Sequence, residues 1–405
     1  MTSLADFDVA VIGAGIAGSS LALALADSGF SIALVEAQPL ERRHLPQVLG
    51  LDSFDARVSA LTPKSRALLE KLGAWETIAG YRQCAYGHMS VWDAEGTGRI
   101  EFDCSELDVP ALGHIVENRA IVDALLAGVI STGAIHRCSP DKLEMCQRQE
   151  DGRMSLQLDS GLALTADLVV GADGALSRVR DMMDFQTREW DYGHRAIVAT
   201  VQVAQPHQDT AWQRFLPSGP LAFLPLPSAA DAHFCSIVWS LETQLVDPLL
   251  ALEDEPFCAE LSRAFEGGLG GVVGASPRFA FPLRQRHAVD YVQPGVALVA
   301  DAAHTIHPLA GQGINLGLLD VAALAQELRT ARKRGLNPGQ ADVLARYQRR
   351  RKGENLLMMG AMDGFKRLFE QRALPLRWLR NAGMRGVGQM GPLKQQLMRH
   401  AMGID

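Results

Sequence analysis

Near its N-terminus the chain reads Val9-Ala10-Val11-Ile12-Gly13-Ala14-Gly15-Ile16-Ala17-Gly18. A short run of β-branched residues, which predicts a strand, is followed directly by glycines, which predict a tight turn. The alanine- and leucine-rich segment after them predicts a helix. Gly13 permits the turn, Gly15 lets the backbone approach a pyrophosphate, and Gly18 lets the helix pack close to the strand. Glu36 follows a second predicted strand and is placed to accept hydrogen bonds from a ribose. This unit predicts a dinucleotide-binding fold.

Two later segments also end apolar strands with a carboxylate. Leu164 to Val170 leads into Gly171-Ala172-Asp173-Gly174, and the run 295–300 leads to Asp301. Ligands of open parallel sheets bind beyond the carboxyl ends of the strands, although an Asp-Gly pair is also an ordinary turn former. Glycines 311, 313 and 317, with Asn315, open a predicted helix whose N-terminus offers free N–H groups. We therefore expect these segments to share one cleft.

The middle of the chain has a different pattern of residues, with short extended segments between prolines. The segments 196–203, 222–226 and 234–240 are extended and separated by prolines, which predicts an antiparallel sheet inserted into the parallel one. The glycine cluster 267–271 follows a predicted helix and not a strand, so it predicts a loop rather than a second nucleotide fold. The expected fold class is α/β, with a Rossmann-like domain (1–77, 108–186 and 288–340), a substrate domain (78–107 and 187–287) and a C-terminal basic helical region (341–405).

Composition narrows the class of protein. The net charge of −7 argues against a nucleic-acid partner, which needs a basic surface. The six cysteines show neither metal-site pairing nor disulfide density, so we expect them to be reduced and mostly buried. Without a leader or a long apolar window, the sequence predicts a cytoplasmic protein with no transmembrane span.

The C-terminal region has its own character. From residue 349 onward it holds 12 Lys/Arg against 4 Asp/Glu, together with seven of the 13 methionines. Basic helices with an adaptable apolar face suit a membrane surface or a protein partner. A helical layer that simply packs on the core is an equally good interpretation.

In these residues the chain resembles the class A flavoprotein aromatic hydroxylases of the p-hydroxybenzoate hydroxylase fold. Within that class it resembles the bacterial ubiquinone-biosynthesis hydroxylases most. The general resemblance rests on the glycine motif, on Asp173, and on Asp301 with Pro308, Gly311, Gln312, Gly313 and Asn315. The narrower one rests on segments such as Arg57-Val58-Ser59-Ala60-Leu61, His114-Ile115-Val116-Glu117-Asn118 and Ala222-Phe223-Leu224-Pro225-Leu226, and it covers nearly the whole chain. One departure is Ala300, which replaces the glycine that usually precedes Asp301 and should crowd the turn slightly.

The resemblance implies FAD as the cofactor and assigns roles to matched residues. Arg57 would contact the pyrophosphate, Asp173 and Asp301 the ribityl and ribose hydroxyls, and the segment from Pro308 to Asn315 the isoalloxazine. Glu117 and Arg119 match positions where the family approaches the flavin from a helix.

It also implies a reaction. NAD(P)H reduces FAD, O₂ adds at the flavin C4a to give a hydroperoxide, and one oxygen atom passes to an electron-rich phenol ring, here a polyprenylphenol. His307 and Pro308 are the candidate catalytic residues, because they fall in the segment expected beside the flavin; His304 is a further candidate. A histidine that only hydrogen-bonds within its loop is the alternative interpretation.

The sequence resembles two enzymes that hydroxylate different carbons of the substrate ring. Segments 87–93, 190–192 and 235–240 favour hydroxylation at C5 of a 2-polyprenylphenol, whereas 212–215 and the tail resemble the C6 hydroxylase of the same pathway. A membrane surface or other ubiquinone-biosynthesis proteins would have to deliver such an insoluble substrate. The alternatives are a flavin reductase that inserts no oxygen and a flavin-bearing assembly subunit; a halogenase is disfavoured because its W-x-W-x-I-P motif is absent.

Overall fold

The computed structural model describes residues 5–227, 233–305, 312–370, 381–386, 388 and 390–404. Its first sheet has eight strands, with the order β18-β19-β11-β1-β2-β8 and with β9 and β10 extending it beside β11. These strands are β1 (Ala5–Ile12), β2 (Ile32–Val35), β8 (Ile135–Cys138), β9 (Leu143–Arg148), β10 (Met154–Leu158), β11 (Ala163–Gly171), β18 (Val292–Gln293) and β19 (Val296–Leu298). The pairs formed by β1 with β2 and β11, β2 with β8 and β11 with β19 are parallel. The carboxyl ends of the central strands therefore meet at one edge, as the sequence predicts.

The second sheet has nine strands in the order β20-β17-β12-β15-β14-β13-β5-β6, with β16 beside β12. Its strands are β5 (His88–Asp93), β6 (Arg99–Asp103), β12 (Thr187–Val203), β13 (Thr210–Leu216), β14 (Gly219–Pro225), β15 (Phe234–Glu242), β16 (Val272–Ala275), β17 (Phe279–Ala288) and β20 (His304–Thr305). All its pairs are antiparallel except β5 with β13. The predicted antiparallel insertion is confirmed.

A third, three-stranded sheet contains β3 (Val58–Leu61), β4 (Cys84–Tyr86) and β7 (Gly113–Glu117) in the order β3-β7-β4. Helices cover the sheets: α1 (Ile16–Leu25), α2 (Pro63–Lys71), α3 (Trp75–Tyr81), α4 (Asn118–Ser131), α5 (Arg178–Met182), α6 (Thr243–Leu250), α7 (Asp254–Ala264), α8 (Gln312–Lys333), α9 (Ala341–Glu370) and α10 (Gly391–Met402). Within the described ranges, none of the helices is long and apolar enough to cross a bilayer.

Several local expectations shift when the whole chain is folded. β12 begins at Thr187, not near residue 196, because the polar stretch before Ala196 pairs with β17 through a bulge between Asp191 and His194. β19 ends at Leu298, and Ala300–Ala302 forms a short 3₁₀ turn that carries Asp301. The glycine cluster forms a 3₁₀ turn at Gly268–Gly270, in agreement with the predicted loop.

The described parts of the C-terminal region are largely helical, as predicted, and some of them pack on the core. Met398 and Met402 of α10 are buried against Leu112 and the start of the second sheet. Lys394 pairs with Glu106 across the same contact. Leu356 and Leu357 of α9, in contrast, are exposed. The packing interpretation therefore holds for α10, while α9 keeps an exposed apolar surface. The six cysteines are unpaired, and five of them are buried, as expected.

Candidate functional site

The glycine turn lies between the end of β1 and the start of α1. Gly13 has φ +98°, and a Cβ there would lie 2.7 Å from the Ala172 carbonyl oxygen. A Cβ at Gly18 would lie 1.8 Å from the carbonyl oxygen of Gly13, so α1 packs directly on the turn. A Cβ at Gly15 would meet no atom within 4 Å, and no side chain caps the helix there. The N–H groups of the first turn of α1 thus face an open space that suits a pyrophosphate.

Glu36 follows β2 and lies beside the same turn. Its Oε2 accepts a hydrogen bond of 2.7 Å from the backbone N–H of Ala14, and its Oε1 accepts one of 3.0 Å from that of Gln38. Each carboxylate oxygen keeps a second acceptor position. The carboxylate is therefore held in place by the backbone and still suits a ribose hydroxyl.

Asp173 follows β11, next to the glycine turn. Its Oδ2 accepts hydrogen bonds from the backbone N–H groups of Arg178 (2.7 Å) and Val179 (3.2 Å) at the start of α5. Its Oδ1 is buried and has no hydrogen-bond partner among the described residues. Burial raises the pKa of this carboxyl, and the bonds from α5 oppose the rise. A hydroxyl donor would satisfy the free acceptor and favour the ionised form.

Asp301 lies on the 3₁₀ turn after β19, and Ala300 immediately before it has φ +53°. This left-handed conformation favours glycine, the residue that the resemblance leads us to expect at this position. The Ala300 Cβ is accommodated by Gly317 of α8, where a Cβ would lie 2.7 Å away. Burial raises the pKa of Asp301, and the nearby His304 and Arg57 oppose the rise. The exposed Arg57 is thus close enough to influence this carboxylate.

The described part of the cofactor segment begins with Gln312 and Gly313, the first residues of α8. Asn315 is buried, and its side chain contacts protein backbone on both sides. Its Nδ2 donates to the carbonyl oxygen of Ala60 (2.8 Å), and its Oδ1 accepts from the N–H of Thr62 (3.0 Å). Asn315 therefore joins the start of α8 to β3, a role that the sequence alone did not reveal. His307, Pro308 and Gly311 lie outside the described residues.

Glu117 and Arg119 form part of a buried ion cluster with Arg82. The Glu117 carboxylate accepts from the Asp55 N–H (2.7 Å) and pairs with both arginines. Arg82 also donates to the carbonyl oxygens of Pro46 (2.8 Å) and Val48 (2.9 Å). The cluster fixes the segment that leads to Arg57. A direct contact of Glu117 or Arg119 with the cofactor stays a prediction.

A second buried cluster lies behind the Asp301 turn and escaped the sequence analysis. Asp320 of α8 is fully buried, and its Oδ2 accepts from the Ala300 N–H (3.1 Å) and lies 2.5 Å from His304 Nε2. Its Oδ1 accepts from Arg351 Nε (2.8 Å) and Asn355 Nδ2 (3.0 Å) of α9. These contacts outweigh the opposing effect of burial and lower the pKa of Asp320. We call Asp320, His304, Arg351 and Asn355 the Asp320 cluster; it joins the turn, α8 and α9, and it turns the His304 side chain inward.

One group outside this site has the spacing of a metal-binding cluster among the described residues, namely Cys84, His207 and Asp209. Both ring nitrogens of His207 are already engaged, because Nδ1 accepts from the Asp209 N–H (3.1 Å) and Nε2 donates to the Leu226 carbonyl oxygen (3.0 Å). Burial raises the pKa of the Cys84 thiol to about 12. This arrangement does not favour a metal ion.

The geometry around the edge of the first sheet fits FAD. An open helix N-terminus, two partly buried carboxyls with raised pKa values and a glutamate held by the backbone lie at the ends of adjacent parallel strands. The pyrophosphate and hydroxyl groups of a dinucleotide bind at such positions. The side chains that we predicted from three distant segments are brought to this single edge.

Comparisons with known proteins agree with this geometry. Residues 6–355 match the model of the FAD binding domain family. The chain is 38% identical over 398 residues to 3-demethoxyubiquinol 3-hydroxylase of Escherichia coli, covering 98% of each chain. It is 39% identical over 396 residues to ubiquinone hydroxylase UbiL of Rhodospirillum rubrum, covering 98% of this chain and 89% of the relative.

Among solved structures, p-nitrophenol 4-monooxygenase PnpA from Pseudomonas putida shares the fold, with a TM-score of 0.77 and 18% identity over 98% of this chain and 99% of that chain. The predicted fold class and the predicted resemblance are both confirmed. The chain belongs to the FAD-binding hydroxylase family that includes these ubiquinone hydroxylases, and it is an FAD-dependent monooxygenase.

Proposed function

We propose that this enzyme hydroxylates the aromatic ring of a polyprenylated phenol in ubiquinone biosynthesis, with C5 as the position. The observation that carries the proposal is the similarity to two ubiquinone hydroxylases over 98% of this chain. The C5 assignment is supported by segments 87–93, 190–192 and 235–240, which resemble the C5 enzyme more than the C6 enzyme. These segments contribute to β5, β12 and β15 of the second sheet, the sheet expected to cover the substrate.

The residues at the edge of the first sheet would hold FAD. We propose that Gly13, Gly15 and Gly18, with the N-terminus of α1, receive the pyrophosphate together with Arg57. Glu36 would bind the adenosine ribose, and Asp173 and Asp301 would accept from ribityl and ribose hydroxyls. The segment with Pro308, Gly311, Gln312, Gly313 and Asn315 would adjoin the isoalloxazine. Asn315 would hold this segment in place through its hydrogen bonds to the backbone of Ala60 and Thr62. Glu117 and Arg119 would support the same region from the start of α4.

Bound FAD, reduced by NAD(P)H, supplies the activation of O₂ in this family, so the chain's own residues have other tasks. The two partly buried carboxyls would fix the cofactor, and the surrounding sheets would exclude water from the reacting face. We propose His307 and Pro308 as the residues closest to the chemistry. Replacing His307 with Ala should lower the rate of hydroxylation while leaving FAD affinity within twofold.

A second candidate is hydroxylation of a demethoxyubiquinol, the substrate in the name of the E. coli relative. A single experiment separates the two candidates. The FAD-loaded enzyme is supplied with NAD(P)H, ¹⁸O₂ and either a short-chain 2-prenylphenol or a short-chain demethoxyubiquinol, and the products are analysed by mass spectrometry. A labelled hydroxyl at C5 of the prenylphenol supports our proposal, and labelling of the demethoxyubiquinol alone favours the second candidate. NAD(P)H oxidation without label in either product would overturn both.

We also propose that the enzyme meets its substrate at a membrane surface or on partner proteins of the pathway through its C-terminal region. The exposed Leu356 and Leu357 of α9, together with the basic residues before them, support this. Replacing both leucines with Ser should abolish co-flotation with vesicles that contain anionic lipid. The control is Leu397→Ser on α10, where the leucine is 47% exposed, compared with 42% for Leu356 and 65% for Leu357.

A further inference from the structure

The nine-stranded sheet uses its two faces differently. One face packs against α6 and α7 through a cluster that includes Ile197, Phe223, Ile237, Val246 and Phe257. Neighbouring residues of a strand point to opposite faces, so Val198, Ala222 and Val238 lie on the other face. That second face is the one turned away from α6 and α7.

Four apolar side chains form a continuous row across the second face. Phe279 of β17 is paired with Val198 of β12, Val198 with Val238 of β15, and Val238 with Ala222 of β14. Directly opposed residues in antiparallel strands have Cβ atoms about 5 Å apart, so each of the four side chains lies beside the next one. Phe281 adjoins the row on the same face, opposite Ala196. We call these five residues, Ala222, Val238, Val198, Phe279 and Phe281, the apolar row.

The exposure of the row is greatest at its outer end, whereas Val198 in its middle is buried, at 9% exposure. Ala222 and Val238 lie on central strands and yet keep partial exposure. Phe279 and Phe281 are 48% and 40% exposed, so two aromatic side chains on the same face of β17 form an exposed apolar surface. Among the described residues, β17 pairs on its outer side only at Arg286 and His287, so its Phe279 end is an open edge.

The inner end of the row lies towards the cofactor site. Leu224, two residues beyond Ala222 on β14, packs against a cluster that contains Ala60 of β3 and Ile115 of β7. Ala60 is the residue whose carbonyl oxygen receives the Asn315 amide at the start of α8. The row therefore leads from the neighbourhood of α8 and β3 to solvent at the sheet edge.

We propose that the apolar row binds the isoprenoid tail of the substrate. The aromatic ring would lie at the Ala222 end, and the tail would cross Val238 and Val198 and leave over Phe279 and Phe281. The row crosses four strands, a span of about 14 Å at a strand spacing of about 4.8 Å, which accommodates a few isoprene units. It carries no charged side chain, as an uncharged hydrocarbon requires. This inference rests on the proposed function, because only a prenylated substrate has a tail to bind.

The test compares two ligands that differ only in tail length. The kcat/KM values are measured for 2-prenylphenol and 2-geranylgeranylphenol with the FAD-loaded wild type and with the double variant Phe279→Ser/Phe281→Ser. Because both side chains are exposed, the double variant should keep the wild-type melting temperature and FAD content. The control is Leu245→Ser, since Leu245 is also 40% exposed but lies on α6, against the opposite face.

We expect the double variant to lose tenfold or more in kcat/KM for the long-chain phenol, through KM, and to change less than twofold for the short one. The control should change neither value. Equal losses for both phenols, or no loss for either, would overturn the proposal. Binding is also titrated through the flavin absorbance without NAD(P)H. If the wild type hydroxylates neither phenol, the proposed function fails. In that case, a double variant that binds the long-chain phenol more weakly and the short one unchanged would still support binding of the tail by the apolar row. A double variant that binds both phenols as the wild type does would reject it.

Discussion

The contact between Ala300 and Gly317 allows the strain at the Asp301 turn to be measured. Ala300 has φ +53°, and a Cβ added at Gly317 would lie 2.7 Å from the Ala300 Cβ. The next nearest atom, the Ala300 Cα, would be 3.4 Å away, which is close to ordinary contact. The effect of Gly317→Ala should therefore depend on whether residue 300 has a side chain.

The magnitudes follow from four effects on the free energy of unfolding. A left-handed conformation costs a non-glycine residue about 1–2 kcal/mol, and glycine loses about 0.4–1 kcal/mol through the entropy of the unfolded chain. Ala300→Gly should therefore stabilise the protein by between about 0 and about 1.6 kcal/mol. Gly317→Ala gains about 1 kcal/mol of helix propensity inside α8 but costs about 1–3 kcal/mol of overpacking when Ala300 is present.

The assay is urea unfolding of the two single variants and the double variant, followed by tryptophan fluorescence. The FAD concentration is held constant because bound cofactor adds stability. We expect Gly317→Ala to be neutral or destabilising alone and stabilising by about 1 kcal/mol in the Ala300→Gly background. The coupling energy should reach about 1–3 kcal/mol. A coupling energy below about 0.5 kcal/mol would refute the contact as the source of the crowding.

Three further predictions concern Asp320, Asp301 and Cys104. Asp320→Asn should destabilise the protein by about 3–5 kcal/mol and weaken FAD binding, because Arg351 loses its buried partner. The control is Glu354→Gln, at the exposed partner of Arg351, which should cost less than about 1 kcal/mol. Urea unfolding measures the stability of both variants, and titration with FAD measures their affinity for the cofactor. Burial raises the pKa of Asp301 and hydroxyl donors from FAD would lower it, so FAD binding should release protons and weaken as the pH falls below the raised pKa. Calorimetry in buffers of different ionisation enthalpy should detect this release, and Asp301→Asn should reduce it. A disulfide reagent should rapidly label only Cys104 in the folded protein, since the other five thiols are buried; labelling that survives Cys104→Ser would contradict this.

The parts of the site that the sequence predicted depend on local patterns. A β-branched run followed by Gly13, Gly15 and Gly18 specifies a strand, a turn and a helix within about twenty residues, and the structure has all three. Asp173 follows an apolar run in the same way. The meeting of these segments was predictable because the carboxyl ends of parallel strands share one edge.

The parts that the sequence did not reveal depend on partners that are distant in the chain. The role of Asn315 is defined by Ala60 and Thr62, more than 250 residues earlier. The conformation of Ala300 depends on the close packing of α8, since no local pattern places an alanine at positive φ. The polar residues at the start of β12 gave no strand pattern, and their extended form comes from pairing with β17.

The Asp320 cluster explains how the C-terminal region can influence a site formed mostly by the N-terminal half. Asp320 holds the Ala300 N–H and His304 on one side and Arg351 and Asn355 of α9 on the other. A fully buried carboxylate with these partners tolerates little displacement, because a broken ion pair in the interior leaves an uncompensated charge. A movement of α9 must therefore shift the turn that carries Asp301 or separate the cluster. The Asp320 cluster thus connects α9, which carries the exposed Leu356 and Leu357, to the turn that carries Asp301. Binding of α9 to a surface or a partner would therefore change the position of Asp301 and the affinity for FAD.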